Sequence, residues 1–334
     1  MASPTLDVPV IDLGARADAV PSPEVVAQIA NAAEHFGFFQ IVNHGIPEQH
    51  LHDVWCATRS FFAQDTDAKR SINRTKQNSR GYYDRELTKN KRDLKEVLDI
   101  AQVPFPELGE DHPDNAHPVD GRNQWPQLDG FQTTVMRHLA DCSDLSLWLL
   151  SAFTLGLGEE AEHLRHWFAP RNTSFLRMNH YPVGDLLDAD EAVEATPLGD
   201  MALHHHSDSG ALTLLLQDDV GGLQVKVEDS WVGVTPTEEA IVVNTGDMMQ
   251  VWSNDRYQAA LHRVLPRSQH NRFSLPYFFN PSYDTNYAPL PGSIREGEAA
   301  HYRSINWGDF RQARADGDFA DYGTEVQISQ FRIG

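Results

Sequence analysis

The chain has 334 residues, which suits one large domain or two small ones and is enough for a sizeable hydrophobic core. Hydrophobic residues make up 40% of it, and 7 Trp and 16 Phe are spread along its length, which is typical of a globular protein. The formal net charge of -21 repels nucleic acid and anionic membrane surfaces. We therefore expect neither of them as a partner.

The cysteine content argues against a disulfide-stabilised or Cys-ligated zinc protein. Only Cys56 and Cys142 are present, so we expect reduced thiols and a cytoplasmic location. The first ten residues lack a basic start followed by an apolar core, and we predict no signal peptide. No apolar run reaches the ~18 residues that a membrane span needs.

The N-terminal region, 1–125, is predicted to contain short strands and helices. Ser22 is a good N-cap, Pro23 suits a first helical turn, and Gly37 suits a helix end. The predicted elements are a strand at 8–13, a helix from Ser22 to Gly37, a buried strand at 38–42, a helix after Pro47, and a long loop at about 104–126.

A long helix is predicted next, within the region 126–170. Apolar residues repeat at helical spacing from Phe131 to about Leu155, and Gly156 and Gly158 end the pattern. We expect this helix to support a β-rich core.

Short strands separated by Gly, Asp and Asn fill the region 171–285. The predicted strands are Ser174–Tyr181, Ala211–Gln217, Gly222–Val227, Ala240–Asn244, Met249–Trp252, His262–Leu265 and Arg272–Phe279. A helical tail is predicted for 286–334. The pattern favours one mainly β domain with flanking helices (α+β), namely a jelly-roll with the N-terminal helical region packed on it.

Candidate metal ligands lie in the second half of the chain. His206 and Asp208 are two residues apart, so on a strand both side chains would point to the same face. His262 begins another strand-like segment. Two imidazoles and one carboxylate on one side of an ion leave the other side open, as iron(II) oxygenases require.

Other interpretations of these residues remain open at this point. A single His-x-Asp is weak evidence, and His204 to His206 could be a surface cluster that binds metal incidentally. Two His and one Asp also suit zinc. His204 itself is more readily a core or rim histidine than a residue that supports the metal ligands.

A carboxylate-binding site is predicted from two further strands. Arg272 and Ser274 share one strand face and offer a guanidinium and a hydroxyl to the distal carboxylate of a small dicarboxylic acid. Tyr181 could add a hydroxyl to the same carboxylate, and Asn179 could hold the keto-acid end. The duller interpretation is an arginine on an exposed strand face.

At this stage the chain resembles the plant-type 2-oxoglutarate/Fe(II)-dependent dioxygenases, the isopenicillin N synthase-like superfamily that includes flavonol synthase, anthocyanidin synthase and the gibberellin oxidases. The segments that carry the resemblance are 8–12, 37–46, Asn179-His180-Tyr181-Pro182, 206–213, 221–225, Asn244-Thr245-Gly246-Asp247, His262-Arg263-Val264 and Arg272-Phe273-Ser274. The chain departs from many plant members only at Val183-Gly184, in a loop.

The resemblance implies a distorted double-stranded β-helix (jelly-roll) core and an oxidoreductase that acts with O2. It implies Fe(II) bound by His206, Asp208 and His262, and 2-oxoglutarate bound by Arg272 and Ser274 with Tyr181 and Asn179. No catalytic residue beyond the metal centre is expected. Hydroxylation is the default outcome, with desaturation or ring closure as variants, and succinate and CO2 are released.

The substrate is expected to be a small, largely apolar metabolite, bound over the metal between the barrel strands and the N-terminal helices. Candidate wall residues are Tyr83, Phe175, Arg177, Phe278 and Asn280. Arg177 would contact either a polar group of the substrate or an acidic side chain. We expect a monomer or weak homodimer.

Two alternative functions are kept. The first is an Fe(II) oxidase of the isopenicillin N synthase type, which uses O2 without 2-oxoglutarate. The second is an inactive jelly-roll module that only binds a small molecule.

Overall fold

The computed structural model describes residues 7–16, 20–88, 91–102, 115, 120–318 and 326–333. Most of the predicted loop at 104–126 lies outside these residues, as do positions 319–325 of the C-terminal tail. The α-helices are α1 (Pro23–His35), α2 (Glu48–Phe62), α3 (Thr66–Arg70), α4 (Phe131–Gly156), α5 (Ala189–Glu194), α6 (Asp247–Trp252) and α7 (Trp307–Asp318).

The described strands are spread from residue 10 to residue 306. They are β1 (Val10–Asp12), β2 (Phe38–Val42), β3 (Gly81–Tyr83), β4 (Leu87–Thr88), β5 (Lys91–Arg92), β6 (Glu96–Ala101), β7 (Phe175–Tyr181), β8 (Leu203–His206), β9 (Leu212–Gln217), β10 (Leu223–Val227), β11 (Ser230–Gly233), β12 (Ile241–Thr245), β13 (His262–Val264), β14 (Arg272–Phe279), β15 (Asn286–Tyr287) and β16 (Ile305–Asn306).

Two sheets enclose a central cavity. The larger has eight strands in the order β1-β2-β12-β9-β14-β7-β6-β3, and the smaller has four in the order β11-β10-β13-β8. Residues of both sheets line the same cavity, so the sheets face each other. This arrangement is the jelly-roll core with flanking helices that the sequence predicts.

Strand alternation divides the large sheet into a cavity face and a helix face. On β14, Ser274 and Phe278 line the cavity, whereas Leu275 and Tyr277 belong to the main hydrophobic core. The same core includes apolar residues of α1, α2 and α4, which therefore cover the outer face of the sheet. Because side chains alternate along a strand, the residues between the core positions are left to form the site.

The N-terminal helix shows how local sequence sets these boundaries. The Ser22 hydroxyl accepts the Val25 N–H at 3.3 Å at the start of α1. After α1, Gly37 has φ +64°, and a Cβ there would lie 2.2 Å from the Gln258 carbonyl oxygen. Only glycine fits this turn, which brings the chain directly into β2.

One predicted strand is wrong. Residues Met249–Trp252 form part of the helix α6, not a strand. A short apolar run does not distinguish a buried strand from a buried helix, and both faces of this segment are buried.

Two strands of the large sheet were not predicted. Strands β3 and β6 extend it beyond β7. The residues of β6 are all buried, but they include Glu96 and Asp99, whose charges break the apolar pattern of a buried strand. Ion pairs with distant residues make that burial possible.

Among the helices that the structure describes, none is both long enough and apolar enough to cross a membrane. Both cysteines are free thiols, with Cys56 exposed and Cys142 buried.

Candidate metal centre and co-substrate pocket

The three candidate metal ligands converge at the open edge of the smaller sheet. His262 on β13 is the cross-strand partner of His206 on β8. The Nε2 atoms of both histidines lie 3.7 Å from Oδ1 of Asp208, and one ligand atom from each residue falls within 4.8 Å of the others. Asp208 does not share the strand with His206, because β8 ends at His206 and Asp208 lies two residues further on, outside any strand.

Backbone carbonyls orient both imidazoles. Nδ1 of His206 lies 2.9 Å from the His204 carbonyl oxygen, and Nδ1 of His262 lies 3.2 Å from that of Ala260. A carbonyl oxygen only accepts, so each Nδ1 carries the proton and donates it. Each Nε2 is left with a lone pair for a metal ion.

Two side chains hold the carboxylate of Asp208. Its Oδ2 accepts hydrogen bonds from Thr213 Oγ1 at 2.5 Å and from Asn244 Nδ2 at 2.8 Å. Its Oδ1 faces the two histidines. Thr213 and Asn244 lie in the segments that carried the family resemblance, but no role was predicted for either of them.

The chain after Asp208 is held against the start of α6. The Asp247 N–H donates to the Asp208 carbonyl oxygen at 2.7 Å. A Cβ on Gly246 would lie 2.3 Å from the Gly210 carbonyl oxygen. Glycine at 246 therefore permits the close backbone approach that positions Asp208.

The pKa shifts of His206 and Asp208 suit metal binding. Burial lowers the pKa of His206, and a charge on His262 would lower it further. Burial alone would raise the pKa of Asp208, but His262, His206 and the bonds from Asn244 and Thr213 leave it lowered. Neutral imidazoles beside an ionised carboxylate are the forms that coordinate a divalent ion.

Arg272 lies in the same cavity with unused hydrogen-bonding capacity. Its side chain is buried, and Nη2 donates to Gln217 Oε1 at 3.3 Å. Within the described part of the chain, Nε and Nη1 have no hydrogen-bond partner. The guanidinium carbon lies 4.9 Å from the centre of the Tyr181 ring.

Ser274 and Asn179 lie beside this guanidinium, because β14 pairs with β7 so that Ser274 is opposite Asn179 and Arg272 is opposite Tyr181. The Asn179 amide donates to Ser274 Oγ at 3.3 Å, while Asn179 Oδ1 has no partner among the described residues. Buried polar atoms rarely remain unpaired. An acid with a carboxylate and further polar oxygens fits this set of donors.

The cavity has a volume of about 790 Å³ and is lined by every predicted site residue. Those residues are Tyr83, Phe175, Arg177, Asn179, Tyr181, His206, Asp208, His262, Arg272, Ser274, Phe278 and Asn280. The far wall comes from residues 74–88, from Lys95, Asp99 and Arg177, and from 311–315 of α7. Helices α1 and α2, which were expected there, contribute no lining residue in the described chain.

Several predicted wall residues already have protein partners. Arg177 donates twice to Asp99, at 2.7 Å from both Nε and Nη2, so it pairs with an acidic side chain. Asn280 donates to the Thr173 carbonyl oxygen at 3.4 Å. The Tyr83 ring lies 3.8 Å from the Arg74 guanidinium carbon. Phe175 and Phe278 stack on each other with ring centres 4.7 Å apart.

His204 is a buried structural histidine. Its Nδ1 lies 2.8 Å from Asp93 Oδ1, and its side chain does not line the cavity. Its carbonyl oxygen accepts the Nδ1–H of the candidate metal ligand His206.

A jelly-roll that carries a two-histidine, one-carboxylate cluster is typical of the non-haem iron oxygenases. The same cavity holds the Arg272 guanidinium, two nitrogens of which have no acceptor among the described residues. Comparison with known families agrees. Residues 8–128 match the family described as "non-haem dioxygenase in morphine synthesis N-terminal", and residues 172–281 match the "2OG-Fe(II) oxygenase superfamily".

Individual relatives cover most of the chain. The 2-oxoglutarate-Fe(II) type oxidoreductase hxnY of Emericella nidulans is 34% identical over 304 residues, covering 86% of this chain and 83% of its own. A crystal structure of JOX2 with 2OG, Fe and JA matches with a TM-score of 0.75 and 27% identity, over 92% of this chain and 85% of that one. The crystal structure of a full-length Neurospora crassa protein in complex with alpha-KG also matches with a TM-score of 0.75, at 26% identity over 92% of this chain and 96% of that one.

The chain therefore belongs to the 2OG-Fe(II) oxygenase superfamily. It is an oxidoreductase that acts with O2 on a small molecule, and its cofactors are Fe(II) and 2-oxoglutarate. The fold, enzyme class and cofactors predicted from the sequence are confirmed.

Proposed function

We propose that His206, Asp208 and His262 bind the iron and that Arg272 and Ser274, with Asn179 and Tyr181, bind 2-oxoglutarate. The observation that carries this proposal is the pairing of two features in one cavity. Three ligand atoms lie within 4.8 Å of one another, and a buried guanidinium has two N–H groups without protein acceptors in the described chain.

The residues of this chain bind and orient rather than transfer protons. When bound, Fe(II) and 2-oxoglutarate supply the O2-dependent oxidation of a C–H bond, with release of succinate and CO2. The fixed Nδ1 protons of His206 and His262 hold both imidazoles in the metal-binding form. Arg272 supplies the positive charge for a carboxylate, and its burial excludes water that would weaken that interaction.

The substrate would be a small organic metabolite, with hydroxylation as the default outcome. A cavity of about 790 Å³ is of the size that takes a ligand of modest mass. Phe175 and Phe278 give it an apolar wall on the strand faces that also carry Arg177 and Ser274. Two N–H groups of Arg272 have no acceptor among the described residues. They support an enzyme that uses 2-oxoglutarate over an oxidase that does not need it.

Location and assembly remain predictions. The net charge of -21 and the two free thiols support a cytoplasmic enzyme that binds neither nucleic acid nor membranes. We predict a monomer or weak homodimer, which light scattering across a range of concentrations would check.

The test is anaerobic titration of the apoprotein with Fe(II), and then with 2-oxoglutarate. We expect His262→Ala to lose Fe(II) binding. We expect Arg272→Gln to keep Fe(II) but to bind 2-oxoglutarate on the order of 100-fold more weakly, because two charge-assisted hydrogen bonds are lost.

Matched controls are available on the surface. His270 and Arg303 are exposed and do not line the cavity, so His270→Ala and Arg303→Gln should behave as wild type. Wild-type Fe(II) affinity in His262→Ala, or wild-type 2-oxoglutarate affinity in Arg272→Gln, would refute the assignment.

A further inference from the structure

The far wall of the cavity is positively charged although the protein is acidic. Apart from Arg272 and the metal ligands, its described lining contains Arg74, Lys76, Arg80, Lys95, Arg177, Arg311 and Arg314, against Glu86 and Asp99. The chain as a whole carries a net charge of -21. A wall of opposite sign to the rest of the molecule attracts anions, unless its cations are already paired within the protein.

Three of these arginines are neutralised by buried acids. Arg177 forms a bidentate pair with Asp99. Arg74 pairs with Glu86, which is fully buried. Arg80 pairs in the same way with Asp120, which lies behind the wall. These guanidinium groups therefore stabilise the fold through their ion pairs and are not available to bind a ligand.

Arg311 on α7 differs from them. In the described chain it makes no hydrogen bond or ion pair, and its guanidinium carbon lies 5.3 Å from the centre of the Phe175 ring. Burial lowers its pKa, and Arg177 and Arg314 lower it further, although Tyr283 and Asp99 act in the opposite direction. A half-buried cation without an acceptor is costly, and an anion bound beside it would offset that cost.

Arg311 lies at the opposite end of the cavity from Arg272. Positions 272, 274, 276 and 278 of β14 all face the cavity, and six residues of strand span roughly 20 Å. Phe278 is therefore far from Arg272, and it stacks on Phe175, the ring beside Arg311. The two guanidinium groups therefore lie in different parts of the cavity, Arg272 beside Tyr181 and Arg311 beside Phe175.

We propose that Arg311 binds a carboxylate of the primary substrate, so that the substrate is an organic acid whose apolar body lies against Phe175 and Phe278. This inference rests on the proposed function and deepens it. The cavity holds two anion sites, Arg272 for the co-substrate and Arg311 for the substrate. The metal-binding cluster lies in the same cavity and acts on the substrate's apolar part.

The test compares an acid with its neutral amide. Binding of 3-phenylpropanoate and 3-phenylpropanamide is measured by calorimetry, anaerobically, with Fe(II) and saturating 2-oxoglutarate so that the Arg272 site is filled. Wild-type protein should bind the acid about 10- to 100-fold more tightly, as expected for a hydrogen-bonded ion pair. Arg311→Gln should abolish the preference, and Arg311→Lys should restore part of it.

The control is Arg303→Gln, which removes an exposed arginine that does not line the cavity and should keep the preference. The proposal fails if wild type binds neither probe, or binds both equally, or if Arg311→Gln still prefers the acid. It also fails if Arg272→Gln, rather than Arg311→Gln, loses the preference.

Failure here is distinguishable from failure of the proposed function. Arg311→Gln should bind Fe(II) and 2-oxoglutarate as wild type does. If Arg311→Gln keeps its 2-oxoglutarate affinity but loses the preference for the acid, both proposals are supported. An Arg272→Gln variant with normal 2-oxoglutarate affinity would overturn the co-substrate site alone.

Discussion

The metal end and the far wall of the cavity use their polar groups in opposite ways. At the metal end, each ligand residue bonds to the protein through one polar atom and keeps another for the metal ion. The bonded atoms are Nδ1 of both histidines and Oδ2 of Asp208. The atoms kept for the metal are Nε2 of His206 and His262 and Oδ1 of Asp208. At the far wall, Arg177 is bonded to Asp99 through two nitrogens. Residual bonding capacity, rather than residue type, separates a binding group from a structural one.

Two arginines on neighbouring strands illustrate the point. Arg177 on β7 and Arg272 on β14 both line the cavity. Arg177 is satisfied by Asp99 and Glu86, whereas two nitrogens of Arg272 have no acceptor within the described residues. Arg177 should therefore contribute to stability, and Arg272 should contribute to ligand binding.

The largest effect is expected for Asp99→Asn. Removing one partner of the buried pair leaves Arg177 insufficiently neutralised and should lower the free energy of unfolding by about 3–5 kcal/mol. Urea unfolding would measure this. Asp53→Asn, which breaks a partly exposed pair with Arg137, should lower the free energy of unfolding much less. Fe(II) affinity should be unchanged in the folded Asp99→Asn protein, and a clear loss of that affinity would contradict the division between the two regions.

The second-largest effect is the pH dependence that Glu86 gives to the free energy of unfolding. Burial alone would raise the pKa of Glu86, but Arg177, Arg74 and Lys95 outweigh it and lower the pKa to about 2. Because the pKa is lower in the folded state, this carboxylate stabilises the fold above pH 4.5 and loses that effect as the pH falls toward 2.

Comparison with Glu86→Gln isolates this group from the other carboxylates. The variant should be less stable than wild type by about 3 kcal/mol at pH 7, and the difference should shrink steadily as the pH falls below 4.5. Urea unfolding at pH 7, 4 and 3 would follow it. A difference that does not depend on pH would show that Glu86 acts through packing and not through its charge.

The smallest effect is expected at the metal end. Asn244→Ala removes one of the two hydrogen bonds to Asp208 Oδ2 and should weaken Fe(II) binding by about 10- to 100-fold. Anaerobic titration would measure this. Asn286→Ala, at an exposed position, is the control. Unchanged Fe(II) affinity in Asn244→Ala would mean that Thr213 alone holds the carboxylate.

Local pattern explains why much of the structure could be predicted. Helix α1 is marked by Ser22 at its start, which accepts the Val25 N–H, and by Gly37 after its end, where φ is positive. At Gly37 the distant Gln258 carbonyl oxygen also leaves no room for a side chain. The face shared by Arg272 and Ser274 follows from the strand period alone. The predictions that were missed depend on distant partners. Strand β6 carries Glu96, which is buried together with Lys69, Tyr82 and His180, all of which bond to its carboxylate.

The sequence by itself indicated the jelly-roll class and the strand face shared by Arg272 and Ser274, because each follows from short-range periodicity. The set of His206, Asp208 and His262 joins two distant stretches, and residue types together with the family resemblance suggested it. Tertiary structure decided that α6 is a helix, that Asn244 holds Asp208, and that Arg177 is paired with an acid while Arg311 has no such partner among the described residues. Those outcomes depend on which acidic side chains and backbone carbonyls are brought together by packing, although they lie far apart in the sequence. The local periodicity of the sequence does not encode such contacts.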